Sequence, residues 1–89
     1  MPRLTFTQHL DRFVAWAPRD LPGATVGSVL DAAFADCPAL RGYLFDDQGR
    51  MRQHLMLFVD GELILDRDRL TDPVAPHQEI FVMQALSGG

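Results

Sequence analysis

Polar and apolar residues alternate at the start of the chain. Arg3–Gln8 reads RLTFTQ, which puts Leu4 and Phe6 on one face of a strand. His9–Asp11 is read as a turn, and Arg12–Ala17 as the strand that returns from it. Pro18–Gly23 contains two prolines and a glycine and reads as loop. The period then changes. Val26, Val29, Leu30, Ala33, Phe34 and Cys37 recur at i, i+3, i+4, i+7, i+8 and i+11, one stripe of a helix, with Thr25 as its N-cap and Asp31, Ala35 and Asp36 off the stripe. Pro38 disfavours helical geometry at Cys37 and so ends the helix or forces a new turn.

Beyond it, Pro38–Leu44 has room for one short turn, and Asp46–Gly49 (DDQG) is loop. His54–Val59 (HLMLFV) is a strand, Asp60-Gly61 a two-residue hairpin turn, and Glu62–Leu65 the returning strand. Asp66–Gln78 is a polar connection with prolines at 73 and 76, and Glu79–Leu86 is the last strand. One amphipathic helix between two hairpin-like units needs a mostly antiparallel or mixed sheet to cover it, which makes the fold α+β. The pattern divides the chain into a single domain, residues 1–86, and a tail, residues 87–89.

Strand alternation also assigns faces. With Leu55, Leu57 and Val59 turned to the core, Met56 and Phe58 face the other way. Ile80 and Val82 then point inward, and Phe81 and Met83 outward. Two phenylalanines and two methionines on one outer face read as a protein-docking surface, unless Pro18–Gly23 or the 66–78 connection covers them.

Composition narrows the chemistry. Eighty-nine residues, 47% apolar and 22% charged, make one globular domain with a modest core and little room for a private active site. A net charge of −4 disfavours nucleic-acid phosphate as a partner. The chain shows neither a long uncharged apolar window nor a secretion-signal layout, so the expectation is a cytoplasmic protein without membrane association. All 8 basic residues are arginine, so a P-loop, a lysine Schiff base and a lysine-branched polymer are excluded.

His9, His54 and His77 are scattered without metal-ligand spacing and read as surface or packing residues, so no metal site is expected. Cys37 sits on the apolar stripe and reads as packing; Trp16 reads as packing or as a lid over the core. Asp66, Arg67, Asp68 and Arg69 alternate in sign, the pattern of a solvated loop.

The chain closes on QALSGG, Gln84–Gly89, and glycine is a poor residue for finishing a strand. The β-β-α-β-β order, the single helix and the closing EIFVMQALSGG together resemble the ubiquitin-like β-grasp sulfur carriers. These are the small subunit of molybdopterin synthase, the thiamin sulfur carrier and the cysteine-biosynthesis carrier. Ala39–Glu62 looks most like the cysteine-synthesis branch. The acidic glycine turn common before the last strand of that family is replaced here by APHQE, Ala75–Glu79.

The resemblance implies a β-grasp fold, a mixed sheet covering one main helix, and a function carried by the tail. A carboxylate has no leaving group, so the Gly89 carboxylate would be activated as an acyl adenylate by a separate E1-like adenylating enzyme using ATP and magnesium. A sulfur donor, persulfide or sulfide, would then displace AMP to leave a thiocarboxylate for an acceptor biosynthetic enzyme. Ser87 and Gly88 would be recognised with the tail, the two glycines admitting close backbone approach. Leu86 would join Met56, Phe58, Phe81 and Met83 in partner docking. The chain itself would bind no cofactor and would be a protein co-substrate, not an enzyme. Two other readings stay open: a ubiquitin-like modifier conjugated through Gly89 to lysines of other proteins, and a non-reactive β-grasp interaction module.

Overall fold

The computed structural model describes residues 1–6 and 16–84. Its strands are β1 (Arg3–Phe6), β2 (Arg19–Asp20), β3 (Leu55–Val59), β4 (Glu62–Leu63) and β5 (Glu79–Gln84), with helices α1 (Val26–Asp36) and α2 (Ala39–Leu44) between β2 and β3. They form one mixed sheet in the order β2-β1-β5-β3-β4. β1 and β5 run parallel at the centre, and the remaining neighbours are antiparallel.

The strand alternation falls as the sequence predicts. Leu4, Leu55, Leu57, Ile80 and Val82 are fully buried, against the α1 stripe Val26, Val29, Leu30, Ala33 and Phe34. Complete burial of a side chain of this kind contributes about 1.5–3 kcal/mol, so the shared face of sheet and helix dominates the stability. Thr25 caps α1 with a reciprocal box: its hydroxyl accepts from the Ser28 amide, and the Ser28 hydroxyl accepts from the Thr25 amide. At the other end Cys37 leaves helical geometry (φ −141°, ψ 86°), as the following proline requires. Gly23 holds φ +144° where an added Cβ would stand 2.8 Å from the Val29 amide nitrogen, so the chain enters the helix through a position that only glycine fills.

Three expectations are corrected. The strand antiparallel to β1 is Arg19–Asp20, inside the segment read as loop; Trp16 and Ala17, the described end of the expected Arg12–Ala17 strand, belong to no strand. The His9–Asp11 turn and the rest of that strand lie outside the described residues. Two residues are too few to show a period, and the pairing is held instead by the Leu21 amide on the Pro2 carbonyl (2.8 Å). Second, the short turn after Pro38 is a helix, α2, which buries Leu40 and Leu44.

Third, Asp66–Arg69 is not simply a solvated run. Asp66 accepts from the amides of Asp68 and Arg69 and from the Thr71 hydroxyl, so its carboxylate shapes the turn. The Arg67 guanidinium donates to the carbonyls of Leu55 (2.8 Å) and Arg52 (3.2 Å), tying the connection to the start of β3.

This connection also completes the helix N-terminus. The amides of Val26 and Gly27 donate to the carbonyls of Asp72 and Leu70 (both 2.9 Å), which satisfies donors that the first helical turn leaves free. Leu70 holds φ +57°, a conformation costing about 1–2 kcal/mol for a residue with a Cβ. Its side chain is buried, which offsets that strain.

Candidate functional site: the outer face of the sheet

The face of the sheet opposite α1 carries the residues the sequence assigns to it. In the β3–β5 register Met56 stands opposite Met83, and Phe58 opposite Phe81. All four are partly exposed, whereas their inward neighbours Leu55, Leu57, Ile80 and Val82 are sealed. The 66–78 connection is tied to the helix side through the bonds to Val26 and Gly27, and none of its residues lines the depression formed with Phe58, Phe81 and Met83. Leu21 of the Pro18–Gly23 segment is buried in the core, and its backbone runs along the far edge beside Pro2.

Sequence reasoning missed one member, Leu63. The Asp60-Gly61 turn has positive φ at both residues (49° and 86°), as a type I′ hairpin requires, and so sets Phe58 opposite Leu63. Leu63 is 52% exposed. A row Leu63–Phe58–Phe81–Thr5 therefore crosses four strands, with Met56–Met83 beside it toward the C-terminal end of β5. The signal was present in the sequence: a two-residue turn fixes the residue opposite each position of the first strand.

At the hairpin end the face becomes acidic. Phe58, Asp60, Gly61, Glu79, Phe81 and Met83 line an open depression of about 450 Å³. Asp60 and Glu79 are locked together, since the Glu79 amide donates to Asp60 Oδ1 (2.9 Å) and the Asp60 amide to the Glu79 carbonyl (3.0 Å). The Thr5 hydroxyl donates to the Glu79 carboxylate.

At the opposite end, the Tyr43 hydroxyl of α2 donates to Gln84 Oε1 (3.3 Å), fastening the last described residue of β5. Burial pushes the Tyr43 phenol above its usual range, so it stays a donor through neutral pH. Leu86, Ser87, Gly88 and Gly89 lie outside the described residues, as does His9.

His54 and His77 are exposed and far apart in the chain, and Cys37 is half-buried against the core. Trp16 is buried. Its indole donates to the Leu4 carbonyl (3.1 Å), and the Arg19 guanidinium lies 4.0 Å above the ring, so it closes one side of the core. Among the described residues no group of three or more His, Cys, Asp or Glu side chains is placed to hold a metal ion. Nor is any described helix long and apolar enough to cross a membrane. What the described residues present is a surface with an apolar row, an acidic end, and the exit of β5 at the other end.

A mixed β2-β1-β5-β3-β4 sheet laid over one main helix defines a ubiquitin-like β-grasp protein. No protein-family model and no curated protein matches the sequence. Solved structures do match. The small archaeal modifier protein SAMP1 from Haloferax volcanii superposes with a TM-score of 0.77 at 28% identity, over 98% of this chain and 97% of that one. SAMP1 from Methanosarcina acetivorans gives 0.77 at 20% identity, over 98% and 94%. The BexX/CysO complex of Amycolatopsis orientalis gives 0.82 at 16% identity over the full length of both chains, a likeness that bears on the fold alone.

Proposed function

We propose that this chain is a sulfur carrier, a co-substrate that presents the Gly89 carboxylate to an E1-like adenylating enzyme. ATP and magnesium belong to that enzyme. The carboxylate attacks the α-phosphorus of ATP and releases pyrophosphate; sulfide then displaces AMP to leave a thiocarboxylate directly. A donor persulfide instead displaces AMP to give an acyl disulfide, whose S–S bond a second donor thiol cleaves, forming a donor disulfide and freeing the thiocarboxylate. An acceptor biosynthetic enzyme in the cytoplasm takes the sulfur, and hydrolysis of the acyl–sulfur bond by water returns the carboxylate. The observation that carries this reading is the direct continuity between the apolar outer face and the strand that leads to the Gly-Gly sequence. Met83 ends the row on β5, six positions before Gly89, within a fold whose similar proteins include CysO in complex with BexX. In this proposal the domain is the handle by which partners hold the tail.

A second reading is favoured by a separate observation, the 28% identity to SAMP1, a protein named as a small archaeal modifier. Both fates begin with the same adenylate, and they part at the acceptor. A carrier gains the mass of one sulfur-for-oxygen replacement and loses it again on transfer. A modifier ends as an amide on another protein's lysine, stable to thiols.

The test is intact-mass measurement of the protein incubated with the activating enzyme of its own cell, ATP and a sulfur donor. The full chain is expected to gain the thiocarboxylate mass, and a chain with Gly89 deleted, or with one alanine appended after it, is expected not to. Persistent conjugates with no thiocarboxylate at any time establish the modifier. No product of either kind leaves the non-reactive interaction module.

A further inference from the structure

We infer that the acidic end of the outer face selects its partner by an arginine side chain, laid across Phe58 and Phe81 with its guanidinium against Asp60 and Glu79. This inference deepens the docking role proposed above and rests on it for the identity of the partner, though not for the chemistry of the contact. The depression of about 450 Å³ has an aromatic and methionine floor and an acidic wall on one side. Asp60 uses one oxygen on the Glu79 amide, and its other oxygen has no donor among the described residues. The Glu79 carboxylate receives the Thr5 hydroxyl as its one donor among the described residues.

The ion pairs among the described residues are Arg3–Asp20 and Arg19–Asp36; Arg3 stands opposite Glu79 across β1 and β5, but its guanidinium is engaged by Asp20. Among the described residues, then, neither Asp60 nor Glu79 is held in an ion pair. An apolar floor beside unmatched carboxylates is complementary to a group that is flat, cationic and carried on an aliphatic stem. Arginine has that shape: its plane stacks on aromatic faces and its fork pairs with carboxylate. A purely apolar partner would bury the carboxylates unpaired, and an acidic one would be repelled. The surface thus discriminates between partners as well as holding one.

The probe is the tripeptide acetyl-Leu-Arg-Leu-amide, titrated into the full-length protein and followed by the ring resonances of Phe58 and Phe81 and the amide of Gly61. Its counterpart carries citrulline, which has nearly the same shape without charge. The arginine peptide is expected to shift these resonances selectively, and the citrulline peptide to bind at least about threefold more weakly, the scale of one or two exposed charge contacts.

The variant Asp60→Asn with Glu79→Gln should reduce the arginine peptide to the citrulline level and leave the melting temperature unchanged. Both replacements keep a hydrogen-bond acceptor for the Glu79 amide and the Thr5 hydroxyl, and asparagine tolerates the positive φ of residue 60. Equal binding of the two peptides, or no selective shift, overturns the inference. The titration uses neither activating enzyme nor sulfur donor. A protein that binds the arginine peptide yet never forms a thiocarboxylate refutes the carrier reading and leaves this one standing.

Discussion

Asp66 shows what a single carboxylate does when its neighbours in space are amides. The Thr71 hydroxyl, then the amide of Arg69, hold its carboxyl below the usual carboxylate range, and the Asp46 carboxyl is lowered in the same way, first by the Arg50 amide. A group whose folded value lies below its unfolded value adds stability that is complete above the unfolded value. That stability is lost as pH falls through the folded one. The melting temperature is therefore expected to decline as the medium is acidified through the carboxylate range, and the decline should be shallower in Asp66→Ala. Equal slopes for the two proteins, measured by circular dichroism across that range, would refute the assignment. Charge alternation in DRDR could not disclose this role. It depends on Thr71, and for Arg67 on the carbonyls of Leu55 and Arg52, which lie 12 and 15 positions away in the chain.

Elements were legible in proportion to the length of their period. The α1 stripe recurs over three turns, and both its cap and its end fall where Thr25 and Pro38 put them. β3 and β5 are long enough for alternation to fix their faces, and hence the four outward side chains of the candidate site. β2 has two residues and no period, and its pairing follows from backbone bonds to Pro2 that no side-chain pattern encodes. Gly89, the residue on which the proposed chemistry turns, was legible only as composition at the end of the sequence.

The cap of α1 carries a prediction at this scale. The first turn has no acidic residue and the last turn no basic one, so neither end gains from side-chain charge on the helix dipole. Thr25→Ala should destabilise the protein by about 1 kcal/mol, typical of a lost N-cap. Because the Ser28 hydroxyl accepts from the amides of both Ala24 and Thr25, Ser28→Ala should also destabilise. The double variant should lose less than the sum, since the two side chains form one reciprocal unit. Strict additivity in denaturant titrations would show that the box does not act as a unit.

Across the whole molecule the sheet has one sealed and one partly exposed face, and adjacent residues of β5 separate them. Val82 is sealed in the core, and Met83 stands on the outer face opposite Met56. A carboxylate at position 82 would be buried without a partner, a penalty of several kcal/mol against a total stability of about 5–15 kcal/mol for a domain of ordinary stability. Val82→Glu is thus expected to unfold the protein. Met83→Glu places the same charge on the partly exposed outer face and should leave the melting temperature within a few degrees of the parent.

On the proposed reading its effect appears on engagement of an activating enzyme, where loss of a central apolar contact costs about 2 kcal/mol or more. That corresponds to roughly thirtyfold in the concentration needed for half-maximal adenylate formation, with the maximal rate preserved because the reacting carboxylate is untouched. Phe81→Glu should behave likewise, being on the same face one pair further from the strand's end. Pyrophosphate release measured over a range of concentrations of this protein, beside a thermal melt of each variant, separates the effects. If Met83→Glu and Phe81→Glu unfold as Val82→Glu does, the outer face is structural; if they melt normally and react at unchanged concentration, the partner holds the domain elsewhere.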